Sequence, residues 1–175
     1  MNASELERFE AVVLPHLDAA YTLARYLMRN DHDAQDVVQD AALRALEYFG
    51  GFRGAESGAG RAWLLAIVRN TAYTWRRRSL DALTTEFDDS QHSAAIADDN
   101  PESATVSASQ RESLQRAIDE LPPEFREVIV LRELEGLSYK EISDVAGVPV
   151  GTVMSRLSRA RRRLEEALCA QEGDC

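Results

Sequence analysis

The sequence predicts an all-α protein built as two small helical domains joined by a flexible acidic linker. Three observations carry this. Apolar residues recur at helical spacing along most of the chain, and no pair of alternating segments suggests strands. Residues 81–109 hold seven acidic side chains, no Lys or Arg, and no sustained periodicity. Residues 136–164 read as a capped helix, a tight glycine-containing turn and a second, basic helix. The expected partition is a first domain over 1–80, the linker over 81–109, a second domain over 110–168 and a disordered tail over 169–175.

In the first domain, Phe9, Val12, Val13, Leu17, Ala20, Tyr21, Ala24 and Leu27 mark a helical stripe, with a kink or break expected at Pro15. Asn30-Asp31-His32-Asp33 is a turn and cap cluster, in which His32 reads as a solvated residue. The next helix, 33–49, turns Val38, Ala41, Ala42, Ala45 and Phe49 inward. Its other side carries Asp36, Asp40, Leu43 and Glu47, with Gln39 at the edge. Such a side is an ordinary solvated face or a docking surface, an apolar anchor ringed by charges. A glycine-rich loop over 50–60 presents Phe52 and Arg53.

The following helix, 61–79, can bury Ala62, Leu65, Ala66 and Ala72 with Ile67 or Val68. Trp63, Arg69, Asn70, Tyr73, Trp75, Arg76 and Arg77 interleave aromatics, an amide and guanidiniums. Unpaired nucleotides need stacking surfaces beside positive charge, worth about 1–3 kcal/mol per stacked base. A tryptophan such as Trp63 also reads as core. Treated as coil, the linker averages about 30 Å end to end. Pulled straight, it reaches roughly 100 Å.

The second domain opens with a helix striped by Leu114, Ile118 and Leu121 and stopped by Pro122-Pro123. Phe125, Val128, Ile129 and Leu131 stripe the next. Ser138 and Glu141 have the spacing of a capping box, and Ile142, Val145 and Ala146 supply an apolar stripe. Gly147 can end that helix in the left-handed region, and Pro149 suits the entry of another. The last helix buries Val153, Leu157, Ala160 and Leu164 and turns Gly151, Ser155, Ser158, Arg159 and Arg162 outward. Over 149–164 it has five arginines and no acid. A buried seam opposite a small, polar, Arg-bearing face fits the major groove.

Charge and composition narrow the function. A net charge of −10 repels free duplex overall, although 57–80 and the last helix are locally basic. This implies weak DNA affinity for the chain alone and a partner that supplies most of the grip. No apolar run approaches bilayer length and no leader precedes residue 10, which suggests a cytoplasmic protein. Cys169 and Cys175 are too few and too terminal for a disulfide framework or zinc site. The three histidines are scattered, and no catalytic grouping, phosphate loop or metal spacing is present, so neither an enzyme nor a cofactor is expected.

From the first helix to Leu164 the motifs DAQDVVQDAALRAL, FRG, RAWLLAIVRNTAYTWRRR, LPPEFREVIVLRELEGLSYKEIS and VGTVMSRLSRARRRL occur in an order that resembles the extracytoplasmic-function group of bacterial sigma factors, in the sigma-70 family. The two domains then correspond to regions 2 and 4. The resemblance implies that Asp36, Gln39, Asp40 and Leu43 grip the clamp coiled coil of core RNA polymerase, with the polymerase flap as a further contact. It implies that Phe52, Arg53, Trp63, Leu65, Asn70, Tyr73, Arg76 and Arg77 open the minus-10 element and hold a flipped base. It assigns minus-35 reading to Thr152, Met154, Ser155, Arg156, Ser158, Arg159 and Arg162. Met154 stands where many relatives have a basic residue.

Promoter DNA and an anti-sigma factor, often membrane-anchored in the family, are implied partners; no small-molecule substrate is. The acidic linker, with Asp88, Asp89, Asp98 and Asp99, would thread a basic channel of polymerase. Two other readings are a stand-alone helix-turn-helix regulator, which leaves 61–79 unexplained, and a sigma mimic that sequesters an anti-sigma factor.

Overall fold

A computed structural model describes residues 1–54, 58–84 and 105–173, with side chains from residue 108 onward in the last stretch. Among these residues every regular element is helical. The Asn2 side chain and Glu5 form a capping box that starts α1, Ala3–Val13. Pro15 breaks the stripe as expected, through a short tight turn over Leu14–His16, and the chain re-enters helix as α2, Leu17–Met28. Asn30 then accepts from the Asp33 amide at 3.0 Å to cap α3, Asp31–Tyr48.

The inward face of α3 is Ala34, Val37, Ala41 and Ala45. Val38 and Ala42, expected there, are only half-buried. The stripe is rotated by one residue, because alanines let α2 and α4 approach on that side. In the loop that follows, a side chain at Gly54 would collide with the Phe52 ring and approach Ala59 to 2.9 Å, so glycine permits this close turn. Helix α4, Ala59–Leu83, runs three residues beyond the expected start of the linker.

Helix α5, Thr105–Asp119, begins before residue 110. Ala117, Ile118 and Leu121 are buried near its end, but Leu114 is exposed. The acidic residues 88, 89, 98 and 99 lie outside the described residues. Pro123 opens α6, Pro123–Ile129, and a wider π turn over Val130–Leu134 continues it. There the Glu135 amide reaches the Val130 carbonyl at 3.1 Å.

Helix α7, Tyr139–Ala146, has the expected Ser138–Glu141 capping box and ends on Gly147 at φ +67°. Helix α8, Val150–Glu172, follows from Pro149. It continues through most of the expected tail, because Leu164, Ala167, Leu168 and Cys169 are half-buried rather than solvated. Val153, Leu157 and Ala160 are buried as expected, against α5, α6 and α7.

Most of the buried apolar residues form one continuous core across both halves, from Leu23, Leu27 and Val68 to Leu121, Val128 and Ile129. Helix α2 touches α6, and α4 touches α7. Arg126, 3 % exposed, ties this junction. It donates to the carbonyls of Leu121 at 2.7 Å, Asp119 at 2.8 Å, Ile118 at 3.2 Å and, across the junction, Tyr26 at 3.0 Å. Burial, followed by the nearby Arg29 and Arg76 charges, pushes its guanidinium down to about 10. The fold therefore brings the two expected domains into contact.

Candidate nucleic-acid and partner interfaces

Three helix faces collect the expected site residues. On α3, Leu43 is 63 % exposed and Gln39 is exposed. Asp36 pairs with His32 at 3.1 Å. The Asp40 carboxylate accepts from the Trp75 indole N–H at 3.3 Å and from Arg44 at 3.4 Å, fixing this face against α4. An exposed leucine between anchored carboxylates is suited to a basic protein surface. His32, Asp33 and Asp36 bring ligand atoms within 4.8 Å of one another. That cluster is the solvated first turn of α3 and includes the ordinary His32–Asp36 pair.

On α4, Asn70 and Arg77 are exposed, while Tyr73 and Arg76 are half-buried. Arg53 is exposed and donates to the Gly50 carbonyl at 2.8 Å. Two residues that the resemblance assigned to the minus-10 strand are buried here. Leu65 has no solvent exposure; it shares one side of α4 with Val68 and Ala72 at helical spacing, and that side is core. Phe52 is 7 % exposed, its ring 4.7 Å from Trp63 and 5.9 Å from Phe49 between centroids. Trp63, half-buried, closes this aromatic group with Phe49 and packs against the core. These residues hold the loop and the start of α4; the side chains available to a nucleotide lie farther along the helix.

On α8, Met154 is 53 % exposed, and Ser155, Ser158, Arg159 and Arg162 are exposed beside the half-buried Thr152. Arg162 pairs along the helix with Glu166 at 3.3 Å, a contact readily exchanged for phosphate. Arg156 does not share this face: its Nη1 turns inward to lie 3.6 Å from the Glu127 carboxylate. One turn separates Arg156 from Ala160 on the buried seam, which accounts for that orientation.

Glu127 is the residue that stripe reading passed over, and Arg69 of α4 is its partner. Glu127 has no exposure and receives Arg69 Nε at 3.0 Å and Nη2 at 3.3 Å. Burial raises its carboxyl above the ordinary range, against the pull of Arg69. The Arg69 guanidinium lies 4.1 Å over the Tyr73 ring. Burial and then the Glu127 charge push the Tyr73 phenol up. A signal was present: Glu127 stands three and four residues before Val130 and Leu131, an acid in core register.

Among the described residues no helix is long and apolar enough to cross a membrane. Residues 12–80 match the family model for Sigma-70 region 2, and residues 111–164 match that for Sigma-70, region 4. The chain is 37 % identical over 153 residues to the ECF RNA polymerase sigma-E factor of Escherichia coli K12, covering 83 % of this chain and 78 % of that one. It is 35 % identical over 170 residues to the ECF RNA polymerase sigma factor SigE of Mycolicibacterium smegmatis, covering 95 % of this chain but only 63 % of that relative's length.

Among solved structures, the sigma factor RpoE of Bartonella quintana, crystallised with the anti-sigma factor NepR, matches with a TM-score of 0.75 and 30 % identity. That match covers 93 % of this chain and 97 % of the other. Two family models in the right order, on a helical fold shared along nearly the whole chain, establish that the protein belongs to the extracytoplasmic-function group of the sigma-70 family.

Proposed function

We propose that this sigma factor docks on core RNA polymerase through Asp36, Gln39, Asp40 and Leu43 of α3, and reads a promoter with two further surfaces. The outer face of α8 lies in the major groove of the minus-35 element. There Arg159 or Arg162 can pair with a guanine edge or phosphate, while Thr152, Ser155 and Ser158 supply short polar contacts. Asn70, Tyr73, Arg76 and Arg77 of α4, with Arg53 in the preceding loop, capture unpaired minus-10 nucleotides. An amide reads a base edge, and an aromatic ring replaces lost stacking.

The observation that carries this reading is the α8 outer face, exposed and free of acid over two turns behind a capped helix and a left-handed glycine turn. The relatives' names and the RpoE–NepR complex support polymerase and an anti-sigma factor as partners of this chain. Transcription in vitro with purified core polymerase and a promoter library tests it. The chain should select a defined promoter set, and Leu43→Ala should lower core affinity about tenfold or more. A chain that binds core but selects no start sites would instead be a sigma mimic.

A further inference from the structure

One buried carboxylate serves both DNA-facing helices. Glu127 of α6 is held at 3.0 and 3.3 Å by Arg69 of α4 and at 3.6 Å by Arg156 of α8. The contact covers part of the surface assigned above to minus-10 nucleotides. Arg69 takes one face of the Tyr73 ring, where a base would stack, and its Nη1 donates to Asn70 Oδ1 at 3.4 Å, the acceptor that would read a base edge.

Further ties cross the same junction. The Tyr26 hydroxyl donates to Gln115 Oε1 at 3.0 Å. Arg61 donates to the Glu135 carbonyl at 3.2 Å and lies 3.5 Å from Glu141. These ties are polar, and arginines released from them can be satisfied by phosphate, while opening must also part the apolar core that runs from Leu27 and Val68 to Leu121 and Val128.

We propose that the chain, away from polymerase, is closed on itself with Glu127 as the latch, so that region 4 masks the minus-10 surface until the two regions are drawn apart. The sharing of the carboxylate makes the latch reversible. Removing the sole partner of a buried charge is prohibitive, but Glu127 retains Arg156 within its own region when Arg69 leaves. Opening therefore frees Arg69, Tyr73 and Asn70 together without orphaning the acid. The same pairing explains why Arg156 is withdrawn from the reading face of α8. This inference rests on the sigma-factor reading only for the role of the covered surface; the closed form itself does not depend on it.

The test uses the full chain and two openings. Glu127→Gln removes the latch charge, and the double variant Tyr26→Phe, Gln115→Ala loosens the junction without touching residues placed in DNA binding. Small-angle scattering reads the radius of gyration, and fluorescence anisotropy reads affinity for a 12-nucleotide oligo-dT. If the open form is about 10 % of the free wild type, opening raises oligonucleotide affinity up to about tenfold. Expected are a larger radius and tighter binding for both variants, with the double variant showing the smaller change; should Glu127→Gln fail to fold by circular dichroism, the double variant decides.

A wild type already extended in solution, or open variants that bind oligo-dT no better, would overturn the latch. Promoter-directed transcription with core polymerase is measured in parallel. Its failure in the wild type, with a compact radius that expands in the variants, would remove the sigma-factor reading and leave the closed form standing.

Discussion

Helices α4 and α8 carry the two surfaces proposed for nucleic acid, and they meet solvent differently. The outer face of α8 is bare: Met154, Ser155, Ser158, Arg159 and Arg162 are exposed. The corresponding surface of α4 is partly covered, with Arg69 drawn onto Glu127 and lying over Tyr73. Duplex reading needs a preformed convex helix, and nothing is lost by leaving it open. Capturing unpaired bases needs an aromatic ring beside a cation, and on α4 that pair finds a partner within the chain, Arg69 lying over Tyr73 and against Glu127. The same residue types behave as a ready surface on one helix and as an internal contact on the other. What decides between them is the helix's position relative to the junction.

The largest effect that could break this comparison is on stability. Leu65→Ala removes a fully buried side chain from α4 and should cost about 2–5 kcal/mol in urea unfolding. Met154→Ala on the bare face of α8 should stay within about 0.5 kcal/mol. Comparable losses for the two would mean that the α8 face is packed, contrary to its exposure.

A second, intermediate effect separates the two surfaces by binding. Arg159→Ala should weaken binding of the holoenzyme to its promoter by about 1–3 kcal/mol if it meets a base, and change which promoters are used. If Arg159 meets only phosphate, the loss is uniform across promoters and the salt slope drops by about one. Asn70→Ala should leave closed-duplex binding intact and impair opening, which permanganate reactivity of unpaired thymines reports.

The smallest effect concerns the junction at low pH. The Ser138 backbone N–H, and then Arg61, hold the Glu141 carboxyl below its ordinary value, although burial opposes this. A carboxyl lowered in the folded state contributes stability that is present above its unfolded value of 4.5 and lost as pH falls through the lowered one. Between pH 5 and 3 the wild type should therefore lose about 1 kcal/mol more than Glu141→Gln, solvent screening keeping the effect small. Parallel acid titrations of the two proteins by thermal unfolding check this.

Much of the fold was legible locally. Ser138 and Glu141 form the expected capping box, Gly147 the left-handed stop, and Val153, Leu157 and Ala160 the buried seam. Helical spacing and caps act within four residues, so sequence alone reveals them. The candidate surfaces were legible to the same extent: Leu43 is exposed on α3, and the α8 outer face is where spacing put it. Leu65 is buried where its spacing with Ala72 put it, whereas Phe52 could not be placed from the sequence, because an aromatic suited to stacking on a base is equally suited to a core. Only the packing of Phe49 and Trp63 against the Phe52 ring chooses between them.

The sequence by itself determined the succession of helices, their caps, and the side of α8 that faces outward, since each follows from contacts between near neighbours in the chain. Only the tertiary structure decided that Arg69 meets Glu127 fifty-eight residues away, that Arg156 turns inward, and that the two regions share one core. A buried charge is tolerated where partners converge, and that convergence depends on how whole helices dock rather than on any local pattern.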